Sequence, residues 1–252
     1  MQPKSPIISA SDLYQKINDI NIRIIDTRFS LFNKNEGKAL FDKSHITGAI
    51  YADLDKDLAG NITESSGRHP LPNVNTISGK LRKWGINKLT HVIVYDHNNG
   101  SIASRLWWLL KWLGHEKVSV LDGGFLEWEK SNFPIDNSIS NYEPGNFVPV
   151  LKEDKTWTAE LINRWIEQSK NFFLIDARDE NRYRGIEEPI DKKAGHIPGA
   201  INIPFTLFLE ENGVWKNLIE IRAIWKKYQI NDNAEWAVMC GSGVTACHLS
   251  IS

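Results

Sequence analysis

Apolar residues in this chain fall in short runs, each four or five residues long, at 22–25, 91–95, 118–121, 172–175 and 236–239. Runs of that length predict strands buried on both faces. Between them, apolar residues recur at helical spacing over 103–113, 161–168 and 219–228. Strands alternating with helices predict an α/β architecture of parallel sheets flanked by helices. In such sheets ligands lie beyond the carboxyl ends of the strands, so the residue after each strand carries most of the functional information.

The pattern repeats. Ile24-Ile25-Asp26-Thr27-Arg28 returns as Leu174-Ile175-Asp176-Ala177-Arg178, and Ser44-His45-Ile46-Thr47-Gly48-Ala49-Ile50 returns as Gly195-His196-Ile197-Pro198-Gly199-Ala200-Ile201, at nearly one spacing. Two matched motifs predict a duplicated domain. The first copy spans 1–138, a polar linker containing Pro and Gly spans 139–156, and the second copy spans 157–252.

The 252 residues are 24% charged and 41% hydrophobic, ordinary usage for a folded protein. Thirty Lys and Arg against 31 Asp and Glu leave a net charge of -1, with no basic surplus for a phosphate backbone, so nucleic-acid binding is excluded as the main function. The longest apolar stretch, 106–113, is interrupted by Lys111 and falls far short of the roughly 20 residues a bilayer needs. The N-terminus lacks the apolar run of a signal peptide, which predicts a cytoplasmic protein. Two cysteines alone, Cys240 and Cys247, suit a reducing compartment. Trp107, Trp108 and Trp112 share helical spacing and predict core rather than a stacking platform.

The last strand runs directly into Cys240-Gly241-Ser242-Gly243-Val244-Thr245-Ala246. Gly241 and Gly243 permit a turn whose N–H groups face a common point, and a helix beginning near Val244 adds its positive end. Both favour a thiolate, the nucleophilic form of cysteine. A small buried hydrophobe at a strand end is the plainer alternative, but the Gly-x-Gly turn argues for reactivity. The first copy has Asp96 at the matching place and so lacks the nucleophile. A phosphatase-like or arsenate-reductase-like loop needs an arginine six residues after the cysteine; Ala246 stands there, which excludes it.

With its strand-Asp-x-Arg motif in both copies, His-Ile-Pro-Gly-Ala at 196–200, Leu-Asp-Gly-Gly-Phe at 121–125 and Cys-Gly-Ser-Gly-Val-Thr-Ala at 240–246, the chain resembles the tandem-domain rhodanese sulfurtransferases. Its cysteine loop is similar to that of the 3-mercaptopyruvate group, whereas thiosulfate-using members carry basic residues after the cysteine. Gly-Arg-His-Pro-Leu-Pro at 67–72 and Glu-Pro-Ile-Asp at 188–191 resemble bacterial members. The resemblance implies a Cys240 persulfide formed from 3-mercaptopyruvate, then passed to cyanide or a thiol such as thioredoxin. It implies no metal or organic cofactor, and a monomer is expected. Thiosulfate:cyanide sulfur transfer and a non-catalytic sulfur-carrier or docking module are the alternatives.

The resemblance also implies site residues. Ser242, His69 and Asp55 match a hydroxyl–imidazole–carboxylate relay, and the backbone of Gly241, Gly243, Val244 and Thr245 is expected to hold the anionic sulfur. Arg182 matches an arginine that grips the substrate carboxylate. A second family arginine is replaced by Ile190, with Lys192 or Lys193 as partial substitutes. Asp26, Asp176, Arg28, Arg178, His45 and His196 occur in both copies, although one lacks the cysteine, and are expected to be structural. Cys247, expected two turns into the following helix, is read as packed.

Measured against the first copy, the second is expected to be incomplete at its C-terminus, lacking most of its last helix and its final strand. The resemblance is taken to put that strand between the first strand and the cysteine-bearing one. Two strands are then expected to lose a ladder partner, leaving the second domain loose and poorly active.

Overall fold

In the computed structural model, residues 5–152, 156–168, 172–230 and 234–252 are described. The first copy contributes β1 (Ile7–Ile8), α1 (Ala10–Tyr14), β2 (Ile22–Asp26), α2 (Glu36–Lys43), β3 (His45–Ile46), β4 (Ala49–Tyr51), α3 (Val74–Lys83), β5 (His91–Tyr95), α4 (Ala103–Trp112), β6 (Val118–Leu121), α5 (Gly124–Lys130) and β7 (Ile135–Asp136). The second contributes α6 (Ala159–Gln168), β8 (Phe172–Asp176), α7 (Glu180–Arg184), β9 (Ile201–Asn202), α8 (Leu218–Lys227), β10 (Glu235–Met239) and α9 (Ala246–Leu249). No helix among the described residues is long and apolar enough to cross a membrane.

Each apolar run expected to be a strand is one. Their β-branched side chains suit a pleated surface covered on both sides, and every residue of β2 is buried. The first sheet runs β1-β6-β5-β2-β4, all parallel, and the second runs β10-β8-β9, also parallel. β2 aligns with β5 from Ile22↔His91 to Asp26↔Tyr95, and β8 aligns with β10 from Phe172↔Glu235 to Asp176↔Met239. The duplication is therefore one of sheet register as well as of sequence.

That register corrects one expectation. In the first copy β6 lies outside β5 and is not interposed between β5 and β2. Correspondingly β8 and β10 pair directly over five residues, and neither loses a central partner. Among the described residues β10 and β9 are the two edge strands of this sheet, and β10 lacks the outer neighbour that β6 gives β5 in the first copy. Nor is α9 bare. Ala246, Cys247, His248 and Leu249 are all buried, and α9 packs on α4 of the first copy. Val244, Leu249 and Ile251 share a continuous core with Leu106, Trp107 and Leu110. Cys247 sits in the first turn of α9, not two turns in.

The two copies meet closely. Gly100 (φ 73°) lies under Trp215, whose ring would stand 2.0 Å from a Cβ at that position, so no other residue fits there. The Trp215 backbone N–H donates to Asp122 Oδ1 at 2.9 Å. Within the expected linker, 139–152 has no regular secondary structure but is strapped to the first copy. The Tyr142 hydroxyl donates to Gly48 O at 2.7 Å, its ring lies 3.9 Å from the Arg23 guanidinium, and Phe147 is buried. Residues 153–155 of that linker lie outside the described residues.

Candidate active site

Cys240 leaves the carboxyl end of β10, where parallel α/β sheets present their ligand sites. Its Sγ accepts the Gly243 N–H at 3.1 Å, so the Gly-x-Gly turn does point a backbone donor at the sulfur. The buried Cys247 is a different case. Its Sγ donates to Gly243 O at 3.2 Å, and burial pushes the thiol up to about 12, which holds it protonated.

The first copy shows what this turn can hold. Asp96 Oδ1 accepts from Gly100 N at 2.9 Å, and Oδ2 accepts from Ile102 N at 2.8 Å and Ala103 N at 3.1 Å. At the position of the cysteine, the same kind of turn thus cradles an anionic carboxylate. Asp96→Ala leaves these N–H groups without their acceptor and is expected to destabilise the first copy by about 1–3 kcal/mol, measured by urea unfolding.

The repeated Asp and Arg residues make matching buried ion pairs. Arg28 reaches Asp26 at 2.6 Å and Ser44 O at 2.6 Å; Arg178 reaches Asp176 at 2.6 Å and Gly195 O at 2.7 Å. Each pair ties its strand to the segment carrying the matched histidine. His45 stacks on Phe41 and His196 on Tyr183.

Of the expected relay, two members are joined. His69 Nε2 meets Asp55 Oδ1 at 3.0 Å, and Lys34 reaches Asp55 Oδ2 at 3.2 Å. The His69 ring is buried, and its Nδ1 has no partner among the described residues. Burial lowers the His69 pKa, outweighing the Asp55 carboxylate, and the Arg68 and Arg105 charges push the same way. A neutral ring that donates Nε2–H to Asp55 leaves Nδ1 as a free acceptor. Ser242 is half-buried and makes no side-chain hydrogen bond among the described residues, so the hydroxyl–imidazole contact is not formed here.

Arg182 is held more tightly than its expected role suggests. Its Nη2 donates to Glu188 at 2.8 Å and to Asp191 Oδ2 at 2.7 Å. Lys192 and Lys193 are exposed. The second guanidinium at this place comes instead from the first copy: Arg68 Nε donates to Asp191 Oδ1 at 2.9 Å. A Cβ on Gly241 would stand 2.3 Å from Asp191 Oδ2, 2.6 Å from Arg68 Nη2 and 3.2 Å from Arg182 Nη2. The cysteine loop is itself neutral, yet two guanidinium tips and one carboxylate close over its first peptide. A side chain introduced at 241 displaces the Asp191 carboxylate and the Arg68 guanidinium and presses on Arg182, so an arginine there rearranges this cluster as well as adding charge.

Glu188 underlies this cluster. It accepts the backbone N–H groups of Asp191 (2.9 Å) and Ile190 (3.1 Å) and pairs with Arg182 and with Arg178 (3.3 Å). Burial pushes its carboxyl up, but the Asp191 N–H, Arg182 and the Ile190 N–H outweigh it and bring the pKa from 4.5 to about 2. A depressed carboxyl stabilises the fold fully above the unfolded value of 4.5, and that stabilisation is lost as pH falls towards 2. The stability gap between wild type and Glu188→Gln is accordingly expected to shrink over that window in acid-unfolding curves.

Arg105 is the residue most clearly missed. Buried in α4, it donates from Nε to Leu58 O (3.4 Å), from Nη2 to His69 O (3.0 Å) and Pro70 O (3.2 Å), and from Nη1 to Gly243 O (3.2 Å). One side chain thus joins the His69 loop to the cysteine loop. The available signal was a charge immediately before the apolar run Leu106-Trp107-Trp108-Leu109-Leu110, in a helix expected to be core, a position that requires partners.

Comparison with known proteins agrees with this geometry. The model of the rhodanese-like domain matches residues 9–131 and again 158–250. A probable 3-mercaptopyruvate sulfurtransferase of Pseudomonas aeruginosa is 34% identical over 253 aligned positions, covering 96% of this chain and 86% of the relative. A thiosulfate sulfurtransferase of Rattus norvegicus is 33% identical, covering 92% of this chain and 78% of the relative. The crystal structure of SseA from Escherichia coli, described with the rhodanese fold and mechanism of 3-mercaptopyruvate sulfotransferases, superposes with a TM-score of 0.86 at 29% identity, covering 98% of this chain and 93% of that one. With a cysteine at the end of a parallel strand, a turn that aims backbone N–H groups at the matching side chain in both copies and family matches to each, the chain belongs to the rhodanese family.

Proposed function

We propose that this protein is a sulfurtransferase that takes sulfur from 3-mercaptopyruvate through a persulfide on Cys240. The Cys240 thiolate attacks the donor sulfur. The carbon–sulfur bond breaks, its electron pair leaves with the carbon as the enolate, and protonation gives pyruvate. A thiol acceptor or cyanide then attacks the outer sulfur and regenerates the thiolate, dividing one transfer into two easier steps. The observation that carries this reading is a nucleophile whose Sγ faces the Gly243 N–H while Arg68 and Arg182 converge on Gly241 beside it.

In this scheme Arg182 and Arg68 bind the substrate carboxylate, and the backbone of Gly241, Gly243, Val244 and Thr245 holds the developing sulfur anion. The free Nδ1 of His69, steadied by Asp55, takes a proton from the Ser242 hydroxyl or the substrate thiol once substrate brings them into reach. The acceptor is a small thiol or a thioredoxin-like protein, met in the cytoplasm by a monomer whose two copies both contribute to the site. Thiosulfate is the second reading, supported by the paired guanidinium groups and by relatives named for that substrate. Steady-state kinetics with both donors separates the two, and kcat/KM is expected to favour 3-mercaptopyruvate. A preference for thiosulfate overturns that assignment. Absence of a one-sulfur mass gain on Cys240 with either donor overturns the enzyme reading in favour of a silent docking module.

A further inference from the structure

The arginine pair at Gly241 is already occupied. Asp191 takes Arg68 on one carboxylate oxygen and Arg182 on the other, and Oδ2 lies 2.3 Å from where a Cβ of Gly241 would be. A three-carbon substrate that presents its sulfur to Cys240 has its own carboxylate only a few bonds away, and so must use the same two guanidinium groups. Resting on the proposed function above, we infer that Asp191 is a resident counter-ion that competes with the substrate carboxylate and sets the affinity and charge selectivity of the site.

Charge and anchoring identify Asp191, and not Glu188, as the group that yields. The cluster joins Arg68, Arg178 and Arg182 to Asp176, Glu188 and Asp191, and these charges balance. Adding a substrate carboxylate leaves an uncompensated negative charge in a half-buried site unless a resident one leaves. Glu188 is held by two backbone N–H groups and two arginines, with its side chain only 5% exposed. Among the described residues the Asp191 carboxylate has only the two arginines, and its side chain is 23% exposed, which gives it a route to water. Its backbone N–H stays on Glu188, so exchange needs side-chain rotation alone. A monoanion replaces it at constant charge, whereas a dianion leaves one charge in excess.

The test is titration of the full chain with pyruvate, a 2-oxo carboxylate that carries no transferable sulfur, followed by calorimetry for wild type, Asp191→Asn and Asp191→Ala. A resident ion that fills the site nine-tenths of the time weakens apparent binding about tenfold, so pyruvate is expected to bind both variants about tenfold more tightly. With 3-mercaptopyruvate, the gain is expected in KM, with any change in kcat smaller. If Asp191 instead holds the arginines ready for substrate, both variants bind pyruvate more weakly. Weaker or unchanged binding, no binding to any of the three proteins, or failure of both variants to fold would each overturn the proposal. The proposed sulfur transfer is judged separately, by the sulfur mass gain on Cys240, and its failure leaves the pyruvate result decisive for Asp191.

Discussion

Cys240→Ser is expected to lower kcat for sulfur transfer by well over 10²-fold with an unchanged melting temperature. A serine oxygen cannot form the persulfide, and loss of a covalent nucleophile leaves only what substrate positioning and the anion-binding turn contribute. The side chain is half-buried, and its one hydrogen bond is accepted from Gly243 N–H, which a serine oxygen can also accept, so the fold has little to lose. The sulfur mass gain disappears in parallel. Residual activity above about one per cent of wild type means that the nucleophile is elsewhere. Cys247 is then the only other thiol, and burial that holds it near 12 makes it a poor substitute.

Arg105→Met is expected to do comparable damage by a different route. Methionine fills much of the volume but leaves the carbonyls of Leu58, His69, Pro70 and Gly243 without their shared donor. Pro70 O keeps the Gly60 N–H and Gly243 O keeps the Cys247 thiol, so among the described residues Leu58 O and His69 O are the two left without a donor, at about 1–3 kcal/mol each, a large share of an ordinary domain's stability. Misplacement of the His69 and Cys240 loops relative to each other adds a kinetic loss, expected to exceed tenfold in kcat/KM even for the folded fraction. Arg105→Lys keeps the charge but has one nitrogen where the guanidinium uses three, so only partial rescue is expected. Thermal unfolding and kinetics of the pair check this; a Lys variant with full activity shows that charge, not the fork, is what matters.

The reason Arg105 and Arg68 escape a reading of the sequence is physical. Strands were legible because parallel sheets covered by helices demand mostly apolar runs, and β2, β5, β6, β8 and β10 have them, interrupted inside the run only by Arg23 in β2 and Ser119 in β6. Cys240 was legible because nucleophile and turn are adjacent in the chain. Arg105 and Arg68 act across the junction of the two copies, on Gly243 O and Asp191, and no local pattern records which loop a long side chain will reach. Strand order failed for a similar cause. The runs announce that β6 exists, but its place outside β5 follows from pairing, which periodicity does not encode. Arg182 shows a third limit: its match to a substrate-binding arginine could be read, but its engagement by Glu188 and Asp191 could not.

The Asp96 cradle in the first copy has a stoichiometric consequence. That turn has the donors to hold an anion, but its ligand is covalently part of the chain, at an effective concentration no dissolved sulfur donor can match. Two cradles are therefore expected to yield one loading position, with titration by donor saturating at a single sulfur per polypeptide. The duplication has not doubled the protein's carrying capacity. In the first copy the turn is a permanently filled support, whose helix α4 carries the arginine that steadies the other.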